Sequence, residues 1–299
     1  MIDQAVSQRI TVARVLCILG VIYVHMPPYD GHYPLFLLSV DGYIWFIRNT
    51  IGLSSVPLLS IVSGYLAIRQ CNNWRTRLRK KLITLIAPLA LWNAIALLKD
   101  YAESSSLASF GDLPNQLLAL SGFPRLTPLY FLRDVFVCNL LLPALARTMS
   151  LCVWPVLLAL GLNAVLDFDG RLLLNSHIGL FFSLGIALGM GKLSAAPILK
   201  HRAAHALLSC LMILASTYLS YVSHTHSLEQ FANMITRLFG AIVFWIGADT
   251  LRGSRIAHYE PIVFCVFCSH PLVIGAMWSV VQALGGADGT MLPRSHLPR

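Results

Sequence analysis

The chain has 299 residues, of which 57% are hydrophobic and only 12% charged. Soluble globular chains carry about 25% charge, so this composition excludes an ordinary soluble domain, whose surface needs that charge. The formal charge of +9 does not point to a nucleic-acid partner, because most of the basic residues lie in short gaps between apolar runs.

A membrane-crossing helix needs about 20 mostly apolar residues. The first such run, 10–26, is long enough to span and lacks a small-residue cleavage site, so it is expected to remain as the first helix rather than act as a signal peptide. Further spans are expected at about 49–68, 82–99, 129–147, 150–166, 175–191, 203–222, 234–251 and 261–284. Residues 35–48 read as an added re-entrant or interfacial piece. The fifth and sixth spans are short enough to form a tight hairpin, and 100–128 reads as one exposed loop. The expected fold is all-α, a polytopic transmembrane helix bundle of about nine spans over residues 1–284, with a polar tail at 285–299.

Basic residues orient such a bundle, because Lys and Arg accumulate on the cytoplasmic side. Of the 22 Lys and Arg, 14 fall on the side of the N-terminus and eight on the other. The connection between spans two and three alone supplies Arg69, Arg75, Arg77, Arg79, Lys80 and Lys81. The outer eight include Arg48, Arg133, Arg171, Arg237, Arg294 and Arg299. A cytoplasmic N-terminus follows, and an odd number of spans puts the C-terminus outside. The seven cysteines lie in or beside apolar runs, so no disulfide framework is implied, and no His, Cys and carboxylate set has metal-ligand spacing.

Arg14 and His25 share the first span. Eleven steps of about 100° bring both to one helical face, separated by about 16 Å along the axis. Ionisable groups in a span are costly and usually face the bundle interior; the competing reading is that both are interfacial, with Arg14 snorkelling towards lipid phosphate. Further on, VPLLSIVSGYLA holds Pro57, Ser63, Gly64 and Tyr65, and LTPLYFLRDVFVCNLLLPAL holds Tyr130, Phe131, Arg133 and Asp134. Late in the chain, VFCVFCSHPLVI holds His270.

These four segments, in this order over residues 9–275, resemble the acyltransferase 3 family of bacterial membrane O-acyltransferases that modify surface glycans. The first-helix basic residue, ten residues and then histidine is that family's signature. The sequence departs from the family at Thr11, where an aspartate is usual, and at Thr84, where a second basic residue precedes the third-helix proline. It also has no apolar continuation after Leu284 for the family's tenth span. The resemblance implies a multi-pass protein of the bacterial inner membrane that transfers an acyl group, most commonly acetyl, from acyl-coenzyme A to a hydroxyl of a carbohydrate such as O-antigen, capsule or exopolysaccharide, free or lipid-linked.

A physical case stands beside the resemblance. Arg75, Arg77, Arg79, Lys80 and Lys81 form a basic cluster able to bind the donor's phosphates, against a plain role in anchoring topology. Arg14 would lie along the pantetheine path. His25 suits a general base, since an unperturbed imidazole has a pKa of about 6.5. Arg48, Arg133, Asp134 and His270 are candidates for lining the site or orienting the acceptor, with a local surface ion pair as the other reading of Arg133 and Asp134. No resident cofactor and no metal are expected. The competing functions are a transporter or flippase, which the lack of mid-span Asp or Glu and of matching halves disfavours, and a degenerate, non-catalytic relative.

Overall fold

The structure is a computed structural model that describes residues 3–26, 38–69, 74–104, 111–170, 172–223 and 225–285. In chain order its helices are α1 (Gln4–Val24), α2 (Val40–Arg69), α3 (Trp74–Lys81), a π-helical turn (Leu82–Ile86), α4 (Ala87–Ser104), α5 (Leu113–Leu118), α6 (Tyr130–Leu151), α7 (Val153–Val165), α8 (Ser176–Gly189), α9 (Ala196–Lys200), α10 (Arg202–Val222), α11 (His226–Thr250) and α12 (Glu260–Gly285). Short 3-10 turns, Thr127–Leu129 and Arg255–Tyr259, lead into α6 and α12. Among the described residues there is no strand. Among these residues seven helical stretches are long and apolar enough to cross a membrane, and α7 and α8 are shorter apolar helices. At 13 and 14 residues each reaches only about 20 Å, and they pack on one another as a hairpin.

Three expectations are corrected. Residues 40–48 are not a separate re-entrant piece but the first turns of the 30-residue α2. The basic cluster is not a loop: Arg75 to Lys81 lie on α3, which runs through the π turn directly into α4. Nor is 111–126 simply an exposed loop. Asn93, fully buried on α4, donates to the carbonyls of Leu89 and Leu117 and accepts from the Leu126 amide at 2.7 Å. Arg125 pairs with Asp100 at 2.5 Å. One polar side chain and one ion pair thus fold the segment back onto α4, satisfying backbone groups that would otherwise be buried unpaired. Residues 35–37 of the expected 35–48 piece, Arg171 and the tail beyond Gly285, with Arg294 and Arg299, lie outside the described residues.

The centre of the bundle is α2, which packs on α8, α11 and α1. The α2–α8 approach is made by glycine. A Cβ at Gly64 would strike the Phe182 carbonyl, and one at Gly185 would strike the Ile61 carbonyl. Small residues that let backbones touch are how helices associate where lipid removes the hydrophobic drive between them. Buried Ser54, Ser55 and Ser60 donate to the carbonyls four residues back, so α2 carries hydroxyls through the interior at no hydrogen-bonding loss. The outer helices instead present Leu91, Leu98, Leu158, Leu162, Leu211 and Leu214 outward, a surface suited to lipid.

α1 and α12 run parallel and in register. Arg14 meets Glu260 and His25 meets His270, pairs whose partners are separated by nearly equal lengths of helix. α1 ends at Val24, whereas α12 continues from His270 to Gly285, about 22 Å further. The histidine end of α1 therefore stops well short of the end of α12.

Candidate active site

His25 caps α1, its amide donating to the Ile22 carbonyl at 3.1 Å. Because the helix stops there, the space between the continuing α2, the start of α6 and α12 is left open as a cavity of about 390 Å³. His25, Trp45, Arg48, Asn49, Tyr130 and Phe267 line it. The Arg48 guanidinium lies over the Tyr23 ring, 5.9 Å from its centre, which fixes a cation beside the cavity.

His270 lies behind His25, only 3% exposed, with the two ring centres 5.3 Å apart. Its Nδ1 is 2.5 Å from the Phe267 carbonyl. A carbonyl only accepts, so that contact assigns the proton to Nδ1 and leaves the lone pair on Nε2. Among the described residues Nε2 is buried without a hydrogen-bond partner. His25 is exposed and opens onto the cavity. A neutral imidazole facing a cavity is able to accept a proton from a hydroxyl brought there.

The other end of α1 has a different character. Arg14 is ion-paired with Glu260. Arg9 is paired with Asp249 at 2.7 Å and lies 5.2 Å from the centre of the Trp245 ring. The basic cluster splits by burial: Arg75, Arg79 and Lys80 are exposed, Arg77 is buried and Lys81 is half-buried. Lys81 lies within electrostatic reach of Arg14, Arg77 and Lys80. The cluster therefore adjoins Arg14, about 16 Å of helix away from His25.

Arg133 and Asp134 do form an ion pair, at 2.8 Å, but it is buried rather than at the surface. Arg133 also donates to the carbonyls of Ala119 and Leu172, and Asp134 accepts from the amides of Leu174 and Asn175. The pair clamps the approach to α8, and neither residue lines the His25 cavity. Arg48 and His270 are brought to His25; Arg14 and the cluster are not. Sequence reasoning missed Glu260 as Arg14's partner, and Trp45, Asn49 and Phe267 as cavity walls. No spacing rule relates residues 14 and 260 before the parallel packing of α1 and α12 is known. Arg237, expected at a span end, instead lies halfway along α11. Among the described residues no group of three His, Cys, Asp or Glu is placed to hold a metal ion.

A family model described as an acyltransferase domain (acyltransferase 3) matches residues 7–295. The chain is also similar to the succinoglycan biosynthesis protein ExoH of Rhizobium meliloti (strain 1021), 29% identical over 312 aligned positions that cover 95% of this chain and 82% of the relative. No solved structure matches the chain.

Proposed function

The chain belongs to the acyltransferase 3 family, and from that premise we propose that it transfers an acyl group, most simply acetyl, from cytoplasmic acyl-coenzyme A to a hydroxyl of a surface carbohydrate. The observation that carries the reading is the placement of His25: an imidazole opening into a 390 Å³ cavity at the opposite end of α1 from Arg14 and the basic α3. The asymmetry of basic residues favours a cytoplasmic N-terminus in a bacterial inner membrane. The donor's phosphates then meet Arg75, Arg79 and Lys80, and its pantetheine arm passes Arg14 between the helices. That the relative is named for biosynthesis of a polysaccharide supports a carbohydrate acceptor, with lipid-linked glycan as one form of it.

The step balances without a cofactor. His25 takes the proton of the acceptor hydroxyl as its oxygen bonds to the thioester carbonyl carbon. Arg48 is beside the cavity where the carbonyl oxygen gains charge, a place for a stabilising cation. The tetrahedral intermediate collapses with cleavage of the carbon–sulfur bond, and the coenzyme A thiolate leaves and recovers the proton. His270, with its lone pair on Nε2, holds the polar surroundings of His25 rather than touching the acceptor. The test is reconstitution of the purified chain in lipid nanodiscs with radiolabelled acetyl-coenzyme A and host glycan. Label is expected on the glycan; intact protein that neither binds acyl-coenzyme A nor labels any glycan would overturn the assignment.

A further inference from the structure

A second, smaller chamber of about 150 Å³ adjoins the His25 cavity, sharing Gly52, Leu53, Val56 and Tyr130 with it. Its remaining walls include Asn175, His177 and Arg237, set among the apolar Pro57, Ile178 and Phe181. Nothing in the acyl-transfer step above uses these polar groups.

Arg237 is halfway along a membrane-spanning helix, where an ionisable side chain is costly and by default marks a functional site. It makes no ion pair among the described residues, and its Nη1 is buried without a hydrogen-bond partner. Two carboxylates lie within electrostatic reach, but both are engaged elsewhere. Asp167 bonds His226 at 3.1 Å and Gln230 at 3.4 Å, and Asp169 accepts from the Ser176 amide at 2.7 Å. His177 is 5% exposed, and neither of its ring nitrogens has a partner among the described residues. The Gln230 amide approaches it without reaching hydrogen-bond geometry. The chamber thus holds a guanidinium and an imidazole, both with buried nitrogens that nothing in the protein satisfies, a state native interiors rarely tolerate without a ligand or water.

We propose that this chamber is a carboxylate subsite: Arg237, with His177 and Asn175, receives a carboxylate-bearing group of a substrate whose reacting atoms lie in the His25 cavity. The planar fork of a guanidinium matches a carboxylate. One arginine, with no second Lys or Arg in the lining, balances one negative charge, which disfavours a pyrophosphate. The volume admits a few heavy atoms, not a sugar ring with its neighbours. Two sources have this chemistry: the far end of a dicarboxylic acyl group on the donor, or an acidic substituent on the acceptor carbohydrate. The inference rests on the acyltransferase reading only for the identity of the substrate.

Wild-type protein in nanodiscs tests it first, with succinyl- against acetyl-coenzyme A and with an acidic acceptor glycan against its carboxyl-reduced form. At least one carboxylate-bearing substrate is expected to exceed its neutral counterpart by tenfold or more in kcat/KM. Equal values in both pairs would overturn the subsite. Arg237→Gln then assigns it, with Arg237→Lys standing in if the first variant does not purify as a monodisperse species. A loss of at least tenfold confined to succinyl-coenzyme A identifies the donor's acyl end. A loss confined to the acidic acceptor, with donor hydrolysis by water unchanged, identifies the acceptor. Equal losses for every substrate reduce Arg237 to a scaffold role and overturn the proposal. If no acyl transfer to any acceptor is found, the catalytic reading fails by itself. The chamber is then judged by calorimetric binding of monomethyl succinate against its neutral dimethyl ester. Arg237-dependent preference for the acid upholds the subsite, and equal or absent binding overturns it.

Discussion

The two ends of α1 treat charge in opposite ways. At its start each arginine has found a carboxylate on another helix, Arg9 with Asp249 and Arg14 with Glu260. At its finish the polar atoms outrun their partners: His270 Nε2, both nitrogens of His177 and Arg237 Nη1 are buried with none among the described residues. Pairing is how a bundle offsets the cost of charge inside it. The contrast therefore puts the charges already paired between helices at the arginine end and the buried nitrogens still to be satisfied beside the two cavities at the histidine end.

The sharpest way to break that contrast is His25→Ala. A positioned base contributes about 10²–10⁴ in rate, so kcat for glycan acylation should fall by that factor while insertion and donor affinity are kept. Near-normal turnover would remove His25 from the chemistry. A smaller effect is expected at the other end. Arg14→Ala should raise the apparent KM for acyl-coenzyme A about tenfold, the size of one charge-assisted hydrogen bond, with kcat little changed. Glu260→Gln frees Arg14 and should lower that KM or leave it unchanged. If both variants lose thermal stability alike and neither changes KM, the ion pair is scaffold only.

Neutralising the exposed Arg75, Arg79 and Lys80 together, with the buried Arg77 kept, should weaken donor affinity only a few-fold at low salt. Exposed charges are screened, with a Debye length of about 3 Å at 1 M salt, so the deficit should vanish there. A deficit that persists at high salt would mean a packed rather than an electrostatic role.

The spans were legible because lipid demands long apolar runs, and all nine expected runs correspond to helices of the bundle. What escaped was polar structure between them. The 111–126 segment looks like a loop by composition, and only the side chain of Asn93, far off in sequence, reveals how it is held. In the site, Arg14, His25 and Arg48 were visible as charges or potential charges in or beside spans. The closeness of His25 to His270 was not, since it depends on two helices separated by most of the chain lying parallel. Arg237 reads as a span-end residue because the apolar run starts at about 234, whereas α11 begins eight residues earlier, at His226.

The glycine contacts between α2 and α8 bear on which substrates can be accommodated. α2 supplies Arg48 and Asn49 to one chamber, and α8 supplies His177 to the next. At Gly64 and Gly185 the two backbones meet with no side chain between them that could adopt another rotamer. The two helices consequently behave as one beam, and the spacing of the groups they carry is a fixed gauge. Acyl chains of different length must then be fitted by the wall opposite, where α12 offers Phe267. Enlarging what this protein accepts is accordingly a matter of trimming Phe267, whereas a methyl added at Gly64 or Gly185 should force the two halves of the beam apart.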